Sequence, residues 1–434
     1  MSRLSDSGSV PVAFRTLGCK VNRVESEDIA ADLIGRGARL VDEDEAAVVV
    51  VNTCTVTGEA DVKARKAVRH ALRAAGSPLV VVTGCLASVD AASLEALDAR
   101  VIVEPDKSRV AARVAAHLGL DDEPHGHGLR SGADFRTRAM LKVEDGCDNF
   151  CTYCIVPHAR GVPRGAPLQD AVAEATAFVE AGAREIVLTG INVGRYRDPA
   201  TGADLAALIA AVGSTGIERL RLSSIEPPDL TDTFLAAIAA VPAFCAHLHV
   251  PLQSGSDAVL AAMGRHYTAE EFVARIAAAR AALPGLAITT DVIAGFPGET
   301  DAQARETRAL CERVGFAKLH VFRYSERAGT PAAAMPDQVS PAEKSLRAAS
   351  LRLTGERLRA RYLAARVCGH ARILIERSHA LDEAGTPLAY GTSADYLRVR
   401  VDALGLTAGQ VVPVRLVRVE GTGLVGEPVG RPVG

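Results

Sequence analysis

The sequence predicts an α/β fold in three parts: an N-terminal open parallel-sheet domain, a partial (β/α) barrel, and a small C-terminal antiparallel β-barrel. Three patterns in the 434 residues carry this reading. In the first part, β-branched runs alternate with helical patterns, as parallel strands joined by helices require. After a polar break, six more strand–helix units follow, enough for a barrel or part of one. From Ala371 onward, short β-rich runs are separated by glycine turns, which points to a small antiparallel barrel. The boundaries read as 10–122, 135–366 and 367–434.

In the first part, Val12–Thr16 is a short extended run and Gly18 turns the chain. Asn22, with Glu25 three residues later, has the form of a helix N-cap box. Ala46–Val51 is a β-branched run followed by a helical pattern over Glu59–Ala75, and Leu79–Thr83 leads into another helix. Asp121–Asp134 holds Pro124, three glycines, His125 and His127 amid polar residues. It reads as a linker, with the histidines solvated rather than metal-binding. The barrel strands fall at Ala139–Val143, Glu185–Thr189, Arg219–Leu222, His247–Val250, Ala287–Ile293 and Ala317–Phe322. Pro341–Val367 reads as one long basic helix, and Ile373–Glu376, Tyr396–Val401 and Gln410–Val419 as strands of the last domain.

Composition excludes several classes. The chain is 48% hydrophobic and 23% charged, with a formal net charge of -3. No bulk field marks a nucleic-acid binder, so any such footprint is local. Trp is absent and aromatics are 4%, too few for a protein-wide stacking platform. Met1–Val10 lacks the apolar core of a signal peptide. The longest apolar runs are far too short to span a bilayer. The expectation is a cytoplasmic protein with no membrane partner. In a reducing compartment its nine cysteines point to metal or redox chemistry rather than disulfides.

The sharpest signal is Gly146-Cys147-Asp148-Asn149-Phe150-Cys151-Thr152-Tyr153-Cys154, just after a predicted strand. Three thiolates can hold three irons of a [4Fe–4S] cube and leave the fourth open for chemistry. Zinc is the rival; it wants four ligands, and only His158 is near. Three unligated cysteines in so tight a loop are the bland alternative.

This Cys-x3-Cys-x2-Cys run, with an aromatic before its last cysteine, resembles the signature of radical S-adenosylmethionine (SAM) enzymes. The resemblance implies that the open iron chelates the amino and carboxylate groups of SAM. One electron then cleaves SAM to methionine and a 5′-deoxyadenosyl radical, while the barrel orients the cofactor and excludes quenchers. Tyr153 would pack near the cluster and adenine. Later segments fit in order, each after a predicted strand: Leu188–Asn192, Ser224–Pro227, His249–Ser256 and Asp291–Glu299. Barrel active sites gather at these strand ends, so the resemblance implies SAM contacts from Gly190, Asn192, Glu226, His249, Gln253 and Gly295.

Cys19, Cys54 and Cys85 each follow a predicted parallel strand. In an open α/β sheet those ends lie side by side at the ligand-binding rim. Three cysteines distant in sequence can therefore meet, as a second three-thiolate cluster requires. The alternative is three buried cysteines acting as small hydrophobes. Cys245, Cys311 and Cys368 have no partners at useful spacing and read as structural.

Thr16–Asn22, Asn52–Thr57 and Thr83–Cys85 resemble the N-terminal domain of methylthiotransferases, and the resemblance covers nearly the whole chain. It implies two [4Fe–4S] clusters and two SAM molecules. One SAM methylates sulfur held at the N-terminal cluster; the other yields the radical that removes hydrogen from the target carbon. The phrase Leu17-Gly18-Cys19-Lys20-Val21-Asn22, with Gly391–Val399, resembles the type acting on tRNA N6-threonylcarbamoyladenosine. Two other types act on N6-isopentenyladenosine in tRNA and on a ribosomal-protein aspartate. After Ala159-Arg160-Gly161 the chain reads Val162-Pro163-Arg164, where the family commonly has a denser arginine run. The last domain resembles a TRAM domain, a small RNA-gripping barrel. The implied partners are tRNA, a flavodoxin- or ferredoxin-like electron donor and a sulfur source. The non-enzyme alternative is an iron–sulfur or zinc RNA-binding protein.

Local charge supports an RNA partner. From Lys344 to Arg372 there are eight Lys/Arg against one acid, Glu356, and a second basic helix carries Lys63, Arg65, Lys66, Arg69 and Arg73. Such runs can contact phosphates, although a single run is more often a solvated face. From Val367 on, seven basic residues balance seven acidic ones, so that domain would rely on shape and single-strand contacts.

Overall fold

The computed structural model describes residues 9–121, 137–381, 387–402 and 405–429. The predicted linker, with His125 and His127, lies outside these residues beyond Asp121.

Five parallel strands build the first sheet: β1 (Val10–Thr16), β2 (Ala38–Leu40), β3 (Val48–Thr53), β4 (Leu79–Gly84) and β5 (Val101–Val103), in the order β2-β1-β3-β4-β5. All of β3 is buried, because helices cover both faces of the sheet. Val49 and Val51 pack with Ala64, Ala67 and Val68 of helix Gly58–Ala71 on one face. Val48 and Val50 pack with Leu33 of helix Lys20–Gly35 and with Val110 and Val114 of helix Lys107–Leu118 on the other. The N-cap box expected at Asn22 and Glu25 is not there. The helix begins at Lys20, with Cys19 at its N-cap and no side-chain capping bond. Asn22 and Glu25 lie inside the helix and buried, drawn into a polar network described below.

The middle part holds β6 (Ala139–Lys142), the short pair β7 (Glu144–Asp145) and β8 (Arg164–Gly165), then β9 (Glu185–Thr189), β10 (Arg219–Leu222), β11 (His247–His249), β12 (Ala287–Ala294) and β13 (Lys318–Arg323). Parallel strands form two three-stranded sheets, β6-β9-β10 and β11-β12-β13. A bridge between Leu220 and Phe244 joins them, as does the Ile225 N–H donated to the His249 carbonyl at 3.0 Å. The result is the partial barrel the sequence predicts, since among the described residues no ladder pairs β6 with β13.

The closed C-terminal barrel is β14 (His370–Leu381), β15 (Pro387–Ser393), β16 (Arg398–Asp402), β17 (Val411–Glu420) and β18 (Gly423–Pro428), in the order β14-β15-β16-β18-β17. Its pairings are antiparallel except β16 with β18. It docks on the N-terminal ends of the middle strands, away from the cysteine loops. There the buried Glu185 pairs with Arg219 at 2.8 Å and Arg221 at 3.1 Å. The Arg221 guanidinium lies 4.4 Å from the ring centre of Tyr396 and donates to the Ala394 carbonyl at 2.9 Å.

Helix Pro341–Arg366 starts at a capping box of Ser340 and Glu343. Much of its positive charge is already engaged. Arg347 pairs with Glu299 and Asp301, Arg357 with Glu312, and Arg366 with Asp395, while Arg372 beyond it pairs with Glu218. Arg352 and Arg361 have no ion-pair partner among the described residues. No described helix is long and apolar enough to cross a membrane.

Candidate metal centres

Cys19, Cys54 and Cys85 stand where β1, β3 and β4 end. Register carries them together: Thr16 pairs with Asn52, and Thr53 with Gly84. Two glycines permit the approach. Gly18 has φ +102°, and a Cβ there would lie 2.6 Å from Cβ of Cys54. Gly84 has φ +91°, and a Cβ would lie 2.3 Å from the Thr53 carbonyl oxygen. Asn22 fastens the rim by donating to the carbonyls of Leu17 at 2.9 Å and Thr53 at 2.8 Å. Cys54 and Cys85 are buried, whereas Cys19 is exposed and lines a cleft of about 570 Å³ with Leu17, Lys20 and Met140.

Burial pushes the Cys54 thiol up, and Cys85 and Cys19 add to it. Burial also pushes Cys85 up, opposed first by Arg160. The three thiols are thus near enough to repel one another as thiolates. Iron, which takes deprotonated sulfur, would release their protons on binding.

Cys147, Cys151 and Cys154 occupy the loop after β7. Backbone bonds fix the loop: the Cys147 N–H donates to the Gly161 carbonyl at 3.0 Å and the Thr152 N–H to the Met263 carbonyl at 2.9 Å. Burial pushes Cys154 up to about 12, with Cys151 and Cys147 adding their repulsion. Tyr153 packs edge-on to Phe296 with ring centres 6.5 Å apart, on a small apolar cluster that includes Met263 and Tyr324. His158, the nearest rival ligand, is exposed and meets Phe150 edge-on.

Arg265 donates to the Cys151 sulfur at 3.3 Å and to the Glu226 carboxylate. Cys151, Glu226, Arg265 and Tyr267 line a cavity of about 120 Å³. Glu144 accepts from the N–H groups of Ile191 at 2.9 Å and Asn192 at 2.7 Å, holding the loop after β9. Burial pushes its carboxyl up to about 7 despite those two bonds. The Asn192 amide reaches to 3.7 Å from the Cys147 sulfur.

Other expected SAM contacts have visible structural duties. A Cβ on Gly190 would lie 2.7 Å from Glu144 Oε2, and one on Gly295 would lie 2.4 Å from Cγ of Lys344. Gln253 sits at φ +64° and exchanges backbone bonds with β12: its N–H donates to Asp291, and its carbonyl accepts from Ile293. His249 is 3.3 Å from Asp291 and 3.0 Å from the Thr289 hydroxyl. Cys245 and Cys311 are buried as expected of structural cysteines, but Cys368 is exposed. It turns the chain between helix and barrel at φ +66° and is no buried hydrophobe.

The donor sets fit iron–sulfur clusters. Each is three thiols with one arginine on one sulfur, and a cationic donor suits a cluster's negative charge. Buried polar atoms without partners lie beside both sets: Asn52 Oδ1 and Thr83 Oγ1 at the first, Glu144 Oε1 and Asn192 Oδ1 at the second. Among the described residues no three His, Cys, Asp or Glu side chains gather closely enough for a single metal ion.

Sequence reasoning missed Arg160 and Arg327. Arg160, at the end of helix Val156–Arg160, reaches from the middle domain to Cys85, Asn22 and Glu25 of the first. Arg327 joins Asp61 and Thr55. The alanine and arginine before Gly161 were visible as a phrase, but nothing in the spacing indicates a reach across domains.

Residues 141–311 match the family described as Radical SAM superfamily, and residues 11–103 match Uncharacterized protein family UPF0004. The chain is 36% identical to the threonylcarbamoyladenosine tRNA methylthiotransferase MtaB of Bacillus subtilis (strain 168), over 94% of each. It is 37% identical to the protein of that name in Thermotoga maritima, over 77% of this chain and 80% of that one. It is 35% identical to the tRNA-2-methylthio-N(6)-dimethylallyladenosine synthase of Anaeromyxobacter dehalogenans (strain 2CP-C), over 96% of this chain and 93% of that one. The radical S-adenosylmethionine methyltransferase TsrM of Kitasatospora setae shares the fold, with a TM-score of 0.55 at 15% identity, over 75% of this chain and 77% of that one.

Proposed function

The chain belongs to the radical SAM methylthiotransferase family, and on that premise we propose that it inserts a methylthio group at C2 of N6-threonylcarbamoyladenosine beside the tRNA anticodon. The observation that carries the proposal is the pair of cysteine triads, each with an arginine on one sulfur, with Cys19 opening onto the larger cleft. Cys147, Cys151 and Cys154 would hold the cluster that binds SAM, and Cys19, Cys54 and Cys85 the second cluster. When bound, these groups supply reductive cleavage of SAM at the first and a seat for transferable sulfur at the second.

The chain's own side chains do the positioning. Glu226 aligns Arg265, which steadies Cys151. Glu144 holds Ile191 and Asn192 so that the Asn192 amide faces Cys147, and Tyr153 gives the loop an apolar backing. His249 and Gln253 are assigned to SAM contacts, whereas Gly295 admits Lys344 and acts through packing. A flavodoxin- or ferredoxin-like protein is the proposed electron donor, with a separate sulfur source. Lys63, Lys66, Arg69, Arg352 and Arg361 are exposed and are assigned to tRNA phosphates. A cytoplasmic location goes with that partner.

The choice of adenosine rests on the Leu17–Asn22 phrase, because overall identity is 36% to one type of relative and 35% to the other. That near-tie keeps N6-isopentenyladenosine as the second reading. The test is to incubate the anaerobically reconstituted enzyme with SAM, dithionite, sulfide and tRNA from a strain lacking the modification, then digest and weigh the nucleosides. Conversion of N6-threonylcarbamoyladenosine is expected. Conversion of isopentenyladenosine alone would replace it with the second reading, and conversion of neither would overturn the tRNA assignment.

A further inference from the structure

Arg160 lies at the seam between the two centres, with its side chain fully buried. Its Nε donates to the Cys85 sulfur at 3.2 Å. Its Nη1 donates to Glu25 at 2.9 Å and Asp145 at 2.8 Å, and its Nη2 to Asn22 Oδ1 at 2.6 Å. Asn22 Oδ1 in turn accepts from the Cys19 thiol at 3.5 Å. One guanidinium therefore touches Cys85 directly and Cys19 through a single amide. Its backbone belongs to the segment anchoring the Cys147, Cys151 and Cys154 loop, where the Cys147 N–H donates to the carbonyl of Gly161.

Two lysines share the carboxylates that Arg160 holds. Lys142 lies 2.8 Å from Glu25 and from Asp145, and Lys107 lies 3.3 Å from Glu25. Of these three cations only Arg160 has a fully buried side chain, and its Nε is directed at the Cys85 sulfur. A buried guanidinium in that position favours an anionic group on Cys85.

We propose that Arg160 is a positioning residue for the N-terminal centre, holding Cys85 by a charge-assisted hydrogen bond and raising the reduction potential of the cluster bound there. The inference rests on the two-cluster reading above. Its physical basis is that reduction adds a negative charge to the cluster, and a hydrogen-bonding cation on a ligand sulfur favours the more negative state. Lysine can keep the charge between Glu25 and Asp145, but a single ammonium lacks the planar fork that also spans Cys85 and Asn22.

The experiment uses the full chain with Cys147→Ala, Cys151→Ala and Cys154→Ala, so that only the N-terminal cluster loads. Its midpoint potential is read by dithionite titration with electron paramagnetic resonance, with iron counted in each sample. In this background Arg160→Gln is expected to lower the potential, by about 59 mV for a tenfold change in the one-electron equilibrium. Arg160→Lys should shift it in the same direction by less. If Arg160→Gln fails to load iron, Arg160→Lys alone decides. A loaded variant with the parental potential would overturn the proposal while leaving the two-cluster reading intact. Failure of the parent to load iron would instead strike that reading.

Discussion

Cys147, Cys151 and Cys154 come from one loop, whereas Cys19, Cys54 and Cys85 come from the ends of three neighbouring strands. The first triad is a local device. Its spacing is fixed by a few residues of chain, and the barrel only has to seat the loop. The second is a product of the fold: it exists because parallel register sets three strand ends level and because Gly18 and Gly84 let backbones approach. The two also face differently. Cys151 borders a small cavity, while Cys19 opens onto the large cleft. A reactive radical needs enclosure; a group that must reach a macromolecular substrate needs access. Under the proposed function, one kind of ligand set serves two tasks by being placed in two kinds of surroundings.

The largest expected effects separate the two triads. Cys151→Ala should abolish 5′-deoxyadenosine formation and halve the iron, leaving about four irons per chain. Cys54→Ala should also halve the iron, yet keep SAM cleavage and end methylthiolation. Normal methylthiolation by the Cys54 variant would dissolve the division of labour. Gly84→Ala probes the fold dependence of the second triad. With φ +91° and a Cβ 2.3 Å from the Thr53 carbonyl oxygen, it should cost at least about 2 kcal/mol in denaturant unfolding. Iron should be lost from the N-terminal centre first.

How much of this could be read from the sequence follows the same divide. The loop triad was legible outright, because thiolate spacing in a short segment is itself the chemistry. The strands were legible where they were long and β-branched, as at Val48–Thr53. Ala38–Leu40 and Val101–Val103 were not, because three residues show no periodicity. The Asn22/Glu25 pattern misled for a physical reason. A capping signature assumes side chains free to fold back on their own helix, and these two are claimed by Arg160 from another domain. The basic helix Pro341–Arg366 was legible as charge but not as charge already paired, since Glu299, Glu312 and Asp395 lie far away in sequence.

Smaller effects are expected from single side chains near and away from the triads. Glu144 has a folded pKa raised to about 7 above its unfolded value. Its contribution is therefore fully present below about pH 4.5 and is lost as pH rises through 7. Glu144→Gln should remove that slope, on the order of 3 kcal/mol across the interval, as read from thermal melts at several pH values. An unchanged slope would place the titration elsewhere. Replacing Arg352 and Arg361 by Glu should weaken tRNA binding and flatten its salt dependence by about one unit of slope per lost phosphate contact. SAM cleavage without tRNA should be unchanged. An unaltered salt slope would leave the helix as a solvated face.

Two metal centres per chain are tested by anaerobic reconstitution of the full chain, with iron counted and 5′-deoxyadenosine measured after dithionite and SAM are added. The two-centre account predicts about eight irons per chain and 5′-deoxyadenosine formation. About four irons would remove one centre, and zinc in place of iron with no SAM cleavage would contradict the account entirely.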